Sequence, residues 1–134
     1  MNTKKRIMVD MSATLIHHGH IRLLEKASKL GKVIVALTSD EDIEKVKGYP
    51  PELSYEERKE ILSAIKFVDE VVKTGWDITE DYLDKHDIDY LDHGNDNANK
   101  ISEDKLIIFP RTEGISSASL RERVLQNVQL QKKN

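Results

Sequence analysis

Apolar positions along the chain alternate between two patterns. A continuous run such as Val33–Leu37 is typical of a strand buried on both faces of a parallel sheet. Apolar residues three or four positions apart, as at Ile21, Leu24 and Ala27, are typical of one face of a helix. The segment Lys47–Pro51 contains two consecutive prolines, which predicts a loop between such elements.

The two patterns follow one another regularly. The predicted strands are Ile7–Val9, Val33–Leu37, Val68–Val72, Ile88–Leu91 and Lys105–Phe109. The predicted helices are His20–Leu30, Glu41–Val46, Ser54–Lys66, Asp77–His86 and Ser117–Gln129. Because strands alternate with helices, we expect the α/β class: a single domain over residues 1–134, with a parallel sheet and helices on both faces.

The composition and the net charge limit the kinds of molecule that the chain can be expected to bind. The chain has 134 residues, of which 34% are charged, and a net charge of −3, so a nucleic-acid partner is not favoured. There is no cysteine, which excludes disulfides, thiolate metal sites and cysteine nucleophiles. No apolar run reaches the roughly 18 residues of a membrane helix, and the short apolar run after the basic start is too brief for a signal peptide. We therefore expect no membrane partner and a cytoplasmic location.

The first candidate site is the sequence His17-His18-Gly19-His20, of the form H-x-G-H, between the first strand and the first helix. The backbone N–H groups at a helix N-terminus lack intrahelical acceptors and form a natural anion site. Two imidazoles there can donate to phosphate oxygens, and Gly19 lets the backbone approach a ligand closely. A chance cluster, with one core and one solvated histidine, is the alternative interpretation.

The second candidate site is the segment 111–121, which reads RTEGISSASLR. Ser116 and Ser117 are natural N-caps of the last helix, and the amides that follow form a second phosphate seat. Arg111 and Arg121 lie at either end of the segment with guanidinium donors suited to phosphate. An ordinary capped helix with two surface arginines is the alternative. In an open parallel sheet, both candidate sites would lie at the carboxyl ends of strands, where such folds bind ligands.

With these two motifs, the chain resembles the cytidylyltransferases that make CDP-alcohols, within the H-x-G-H nucleotidyltransferases. The resemblance extends from Ile7 to about Val124, and the length is similar to that of the bacterial glycerol-3-phosphate enzymes. It implies a Rossmann-like fold, a homodimer, CTP carried with Mg²⁺, and pyrophosphate as the second product. It implies no metal ligands from the protein itself.

The resemblance also implies roles for individual residues. The expected catalytic residues are His17, His20, Lys47 and Arg111. The expected nucleotide-binding residues are Met11, Ser12, Gly19, His93, Gly94, Asp96, Arg111, Gly114, Ile115, Ser116 and Ser117, the two serines seating the β- and γ-phosphates. The expected acceptor-binding residues are Thr14, Lys45, Lys47 and Arg58. Two of these have open alternatives: Lys45 as a solvated charge, and Arg58 as the partner of a neighbour on its own helix.

The chain departs from the family pattern before the first motif. Many members carry G-x-F-D there, where this chain has Met11, Ser12, Ala13 and Thr14. The missing carboxylate at position 14 disfavours a cationic choline or ethanolamine head group. Ala118, where relatives have threonine, removes a hydroxyl from the second phosphate seat.

The leading hypothesis is therefore transfer of CMP from CTP to a small phospho-alcohol, with glycerol 3-phosphate favoured. A phosphonate such as 2-hydroxyethylphosphonate or 2-aminoethylphosphonate is the alternative acceptor. The segment from Met11 to His17 is similar to the corresponding segment of cytidylyltransferase domains associated with phosphonate biosynthesis. ATP in place of CTP is a further alternative. A non-catalytic CTP-binding sensor is the hypothesis from outside the enzymes.

Overall fold

The fold is built on one five-stranded, all-parallel sheet. The computed structural model describes residues 4–92 and 101–132. Its strands are β1 (Arg6–Met11), β2 (Lys32–Thr38), β3 (Glu70–Thr74), β4 (Tyr90–Asp92) and β5 (Leu106–Ile107). They lie in the order β3-β2-β1-β4-β5, so the chain moves outward first to one edge and then to the other. The α/β class predicted from alternating patterns is confirmed.

The helices are α1 (His18–Ser28), α2 (Asp40–Lys47), α3 (Tyr55–Ser63), α4 (Glu80–Lys85) and α5 (Ser117–Lys132), and a short 3-10 helix spans Glu103–Lys105. None of the described helices is long and apolar enough to cross a membrane. Residues 93–100 lie outside the described part, and with them the predicted nucleotide-binding residues His93, Gly94 and Asp96.

Two apolar clusters cover the two faces of the sheet. Alternate residues of β1 divide between them: Ile7 and Val9 pack with Leu24 of α1 and Leu62 of α3, whereas Met8 packs with Leu83 of α4. Each of these side chains is fully buried. This period-2 division places helices on both faces, as the sequence predicts.

Several predicted boundaries are wrong. Helix α1 begins at His18 because His17, not a residue nearer the apolar stripe, is its N-cap. Helix α3 ends at Ser63 and β3 begins at Glu70, because Phe67 and Val68 pack against the sheet core between the two elements. The apolar pattern alone assigns Val68 to the strand, whereas here Val68 and Phe67 are partly buried in the connection between α3 and β3.

Lys47 is the last residue of α2 and not part of the loop. Gly48 follows it with φ of 84°, in the left-handed conformation, and its N–H donates to the Glu44 carbonyl. A glycine in this conformation is a common way to end a helix, because a side chain there is strained. The helix end fixes the point at which the Lys47 side chain leaves the backbone.

Candidate active site

A cavity of about 420 Å³ opens where the ends of β1, α1 and α5 meet. It lies at the carboxyl end of β1, the edge of a parallel sheet where ligands bind in this class of fold. Ten of the predicted site residues line its wall: Met11, Ser12, His17, Gly19, His20, Lys47, Arg111, Ile115, Ser116 and Ser117. The two motifs found in the sequence therefore form one site.

The histidines of the first motif form the N-terminal cap of α1. The His17 Nδ1 accepts the N–H of Gly19 at 3.1 Å, and the His20 Nδ1 accepts the N–H of His17 at the same distance. This is a capping box in which imidazoles replace the usual Ser/Thr and Glu/Gln side chains. The cap holds the two rings with their centroids 4.0 Å apart.

The cap also decides which ring nitrogen carries the proton. Because each Nδ1 accepts a hydrogen bond, the proton of each neutral imidazole is on Nε2. Burial, followed by the neighbouring charges of His17 and Arg111, lowers the pKa of His20 from 6.5 to about 4. Burial, followed by the charge of His18, also lowers the pKa of His17. At neutral pH the site thus contains two neutral imidazoles, each with one Nε2–H donor.

Gly19 is required by the close contact of this cap. A Cβ at position 19 would lie 2.8 Å from Cε1 of His17 and 3.2 Å from Cγ2 of Ile115. Contacts below 3.0 Å are essentially unobserved for real Cβ atoms, so any side chain would displace the His17 ring or the segment around Ile115. Gly19 therefore leaves room for the His17 ring as well as for the close approach of a ligand.

The second motif joins the first through Ser117. Its hydroxyl donates to the Leu15 carbonyl at 3.0 Å and accepts the Leu15 N–H at 3.2 Å. Ser116 and Ser119 cap α5 reciprocally, each hydroxyl accepting the other's backbone N–H. The Ser117 hydroxyl proton is therefore used within the protein, although Ser116 and Ser117 both line the cavity. By their position at the start of α5, the amides of Ser117 and Ala118 have no acceptor within the helix, and both residues lie on the cavity wall.

Lys47 and Lys45 point to different surfaces. Lys47 lines the cavity, with its Nζ 6.0 Å from the centre of the Trp76 ring. Lys45 is exposed and lies with Glu41, Asp42 and Glu44 around an outer depression of α2. The structure thus separates the two predicted acceptor-binding lysines and corrects the assignment of Lys45.

Arg58 is completely buried, and the predicted contact with an acceptor phosphate is wrong. Its Nη1 donates to the carbonyls of Ser12 and Thr38, its Nε to the Leu53 carbonyl, and its Nη2 to Asp40 at 2.6 Å. The hydrogen-bond partners named here lie outside α3, and the neighbour on its own helix is the Tyr55 ring, whose centre is 5.9 Å from the Arg58 Cζ. The guanidinium instead connects the ends of β1 and β2 and the start of α2 by hydrogen bonds.

Thr14 also lies away from the cavity, with 1% of its surface exposed. Its hydroxyl accepts a hydrogen bond from Nη2 of Arg121, whose guanidinium also binds both carboxylate oxygens of Glu52 and the Tyr49 hydroxyl. Arg121 was predicted to face phosphate, and Thr14 to face the acceptor. Both predictions are corrected, because Arg121 instead joins α5 to Thr14 and to the loop after α2. Gly114, with φ of 79°, shapes the turn before α5 and does not line the cavity.

Arg111 reaches the cavity from the chain after β5. Its Nη1 donates to Oδ2 of Asp92 at 2.9 Å, and its side chain, which is 40% exposed, lines the cavity. Sequence reasoning missed Asp92, although an acid directly after the apolar pair Tyr90-Leu91 is the signal that could have indicated it. Among the described residues that line the cavity, Asp10 provides the only carboxylate, and no group of three metal-binding side chains occurs in the described ranges.

Comparisons with known proteins agree with this geometry. Residues 12–123 match the family model described as cytidylyltransferase-like. A glycerol-3-phosphate cytidylyltransferase of Bacillus subtilis (strain 168) is 34% identical, over 90% of this chain and 97% of its own length. The enzyme of the same name from Staphylococcus aureus is 32% identical, over 90% and 95%.

Longer relatives and a solved structure extend the comparison. An ethanolamine-phosphate cytidylyltransferase of Arabidopsis thaliana is 36% identical over 90% of this chain, which spans 32% of that protein. The crystal structure of a lipopolysaccharide core biosynthesis protein from Thermoplasma volcanium GSS1 superposes with a TM-score of 0.60 at 20% identity, covering 91% of this chain and 87% of the other. That structural likeness concerns the fold and supports the Rossmann-like architecture.

Proposed function

Since the chain belongs to the cytidylyltransferase-like family, we propose that it transfers CMP from CTP to glycerol 3-phosphate and releases pyrophosphate. The observation that carries this proposal is the convergence of His17, His20, Lys47 and Arg111 on one cavity, from three separate segments of the chain. Nucleotidyl transfer needs donors of this kind in fixed positions, because negative charge on the phosphoryl oxygens must be stabilised.

In the proposed reaction, a phosphate oxygen of the acceptor attacks the α-phosphorus of CTP in line. The new P–O bond forms as the bond to the bridging α–β oxygen breaks, and the electron pair leaves with pyrophosphate. No protein nucleophile takes part. The Nε2–H groups of His17 and His20 donate to phosphoryl oxygens, and since both rings are neutral they do so without releasing a proton.

The remaining cavity groups bind and orient the two anions. Lys47 and Arg111 contribute positive charge to the cavity that the two histidines line. The first-turn amides of α1 and α5 contribute the positive ends of two helices. Mg²⁺ is part of the proposal as an ion that arrives on the triphosphate and neutralises part of its charge. The one described carboxylate of the cavity wall, Asp10, is a hard oxygen ligand of the type this ion prefers.

Glycerol 3-phosphate is favoured by the lengths of the relatives. The two relatives named as glycerol-3-phosphate enzymes match this chain over nearly their whole length, whereas the ethanolamine-phosphate relative is about three times as long as this chain. The named relatives act on phospho-alcohols, and the comparisons give no support to a phosphonate acceptor.

A homodimer and a cytoplasmic location complete the proposal. Helix α5 contains no buried residue, and it exposes Val124, Leu125, Val128 and Leu130 by 38–59%. Such a row of exposed apolar side chains is typical of a surface that a partner covers. We expect a dimer in sedimentation velocity and a monomer for Val124→Glu/Val128→Glu. A monomeric wild-type protein at micromolar concentration would contradict the dimer. The location is supported by the CTP requirement, since nucleotides belong to the metabolite pool inside the cell.

The deciding experiment measures pyrophosphate release with CTP and Mg²⁺ against a panel of acceptors. The panel contains glycerol 3-phosphate, phosphoethanolamine, phosphocholine, 2-aminoethylphosphonate and 2-hydroxyethylphosphonate, with ATP as the control nucleotide. We expect turnover with CTP and glycerol 3-phosphate. Turnover with another acceptor alone would overturn the substrate but keep the reaction. Tight CTP binding with no turnover on any acceptor would instead indicate a sensor.

A further inference from the structure

Asp92 is a buried carboxylate that the mechanism above does not use. It is the last residue of β4, the strand between the central β1 and the edge strand β5, and its side chain is 0% exposed. A buried carboxylate is costly unless charged or hydrogen-bonding groups surround it. The groups that Asp92 contacts therefore indicate its role in the protein.

Both oxygens of Asp92 bind the same short segment of chain. Its Oδ1 accepts the backbone N–H of Phe109 at 3.1 Å, and its Oδ2 accepts Nη1 of Arg111 at 2.9 Å. Pro110 lies between these two residues, and its ring fixes the backbone torsion φ. The carboxylate thus fixes the position of the segment after β5 and, two residues later, the direction of the guanidinium.

The geometry leaves the rest of the Arg111 guanidinium for the cavity. A guanidinium has five N–H donors in a rigid plane, so one bond to a buried acceptor fixes the direction of the others. The side chain is 40% exposed and lines the same wall as His20. The buried Asp92 carboxylate therefore holds Arg111 through Nη1, and the exposed part of the side chain is open to a ligand.

We propose that Asp92 is a positioning residue for the transfer reaction: it holds the Arg111 guanidinium in the orientation that binds phosphoryl oxygens. The proposal rests on the function proposed above and deepens it. Asp92 contacts neither substrate, so its whole effect on turnover passes through Arg111. The competing explanation is a purely structural role, in which Asp92 only anchors the Phe109 backbone to the end of β4.

A double-mutant cycle separates the two roles. The variants are Asp92→Asn, which keeps the size of the side chain and an acceptor for Phe109, Arg111→Ala, and the two combined. We expect Asp92→Asn to lower kcat about 10- to 100-fold with a smaller change in the KM for CTP, as for loss of a transition-state contact. In the Arg111→Ala background the same substitution should change kcat less than twofold, because the group it positions is gone. Equal losses in both backgrounds would overturn the proposal.

Chemical rescue gives a second readout that a structural role would not produce. Guanidinium chloride at about 20 mM should restore part of the activity of Arg111→Ala, because the free ion can occupy the place of the side chain against Asp92. The double variant should show no such rescue, and tetramethylammonium chloride at the same concentration controls for salt. Equal rescue with and without Asp92 would count against positioning. Asp92→Glu replaces Asp92→Asn if the latter does not fold, and it should lower kcat by displacing Arg111 while thermal unfolding stays near that of the wild type.

Calorimetric titration with CTP keeps this test separate from the proposed function. If the wild-type protein releases no pyrophosphate with any acceptor, the proposed reaction fails. The same cycle can still be read in CTP affinity. Coupling between the two substitutions supports positioning of Arg111 on the triphosphate, whereas additive losses overturn it.

Discussion

At the residue scale, the histidines of the first motif combine two tasks in one side chain. Their Nδ1 atoms cap α1, which leaves the Nε2–H groups as donors, and both residues line the cavity. Alanine substitution removes both tasks together, so a loss of activity in such a variant mixes a damaged helix terminus with a lost donor. Substitutions that keep the cap separate the two contributions.

His17→Asn keeps an acceptor at the N-cap and removes the Nε2–H donor. Asparagine is among the best N-cap residues, so we expect the free energy of unfolding to stay within about 0.5 kcal/mol of the wild type. The kcat should fall about 10²-fold or more, with a smaller change in CTP affinity. His17→Ala should lose the same activity and, in addition, about 1 kcal/mol of stability. Wild-type kcat in His17→Asn, measured by pyrophosphate release, would exclude a transition-state role for this imidazole.

His20 makes the stability of the protein depend on pH. Its pKa is about 4 in the folded protein against an ordinary 6.5, so between these values the unfolded chain binds a proton that the folded chain excludes. Stability should therefore fall as the pH is lowered from 6.5 to 4, by at most about 3 kcal/mol from this group. Above pH 6.5 this group contributes no pH dependence.

Urea denaturation of His20→Gln between pH 4 and 7 measures this contribution. Glutamine is a usual residue at the third position of a capping box, so it keeps the bond to the His17 N–H but does not titrate. The wild type should lose more stability than this variant over the window, and His18→Gln, altered at an exposed histidine, should behave as the wild type. Parallel curves for wild type and His20→Gln would show that His20 is not the titrating group.

At the scale of the elements, pattern predicted which segments form strands and helices, and tertiary contacts decided where they begin. The Asp69 carboxylate accepts the N–H of Val33, and the Asp69 N–H donates to the Val33 carbonyl. These bonds start the β2–β3 pairing one residue before Glu70 and leave Phe67 and Val68 as core residues. A single sequence does not show which residues of two strands pair, so the predicted strand begins too early.

Arg58 illustrates a second reason why sequence reasoning fell short. A charged residue on an amphipathic helix is read as solvent-facing or ligand-facing, yet this one is fully buried and bridges four elements or loops. The partners are mostly backbone carbonyls, which every residue has, so no side-chain pattern indicates them. Most residues of the two motifs do line the cavity, because their types and spacing carry the information, whereas Gly114 and Arg121 do not.

Arg58→Lys should destabilise the protein without changing the affinity for the acceptor. An ammonium group cannot reach the three carbonyls and Asp40 together, so we expect a loss of about 2 kcal/mol or more in urea denaturation. Arg22→Lys, at an exposed position of α1, is the matched control and should stay near the wild type. A large rise in the acceptor KM with unchanged stability would restore the acceptor-binding role that the sequence predicted.

At the scale of the whole molecule, Arg121 links the last helix to two earlier parts of the chain. It binds Glu52 and Tyr49 in the loop after α2 and Thr14 beside the first motif. Exposed ion pairs contribute little stability, so we expect Arg121→Met to lower the free energy of unfolding by at most about 1 kcal/mol. Its effect should instead be local: faster amide hydrogen exchange in residues 48–53 and in the first turn of α5.

Hydrogen exchange followed by mass spectrometry checks this prediction, with Arg22→Met as the control for loss of an exposed arginine. The control should leave exchange in both segments unchanged. Unchanged exchange in Arg121→Met would mean that other contacts hold the loop and the helix together.

The bonds between Ser117 and Leu15 also set the order of events during synthesis. The two residues are 102 positions apart, and the contact between Thr14 and Arg121 spans 107. At about 5–20 residues per second, the ribosome needs on the order of 5–20 s to deliver the second partner after the first. Until then the capping histidines have only half of their cavity, although β1, β2 and α1 can already pair and pack. The cavity proposed to bind the nucleotide can therefore be complete only after α5 has been synthesised.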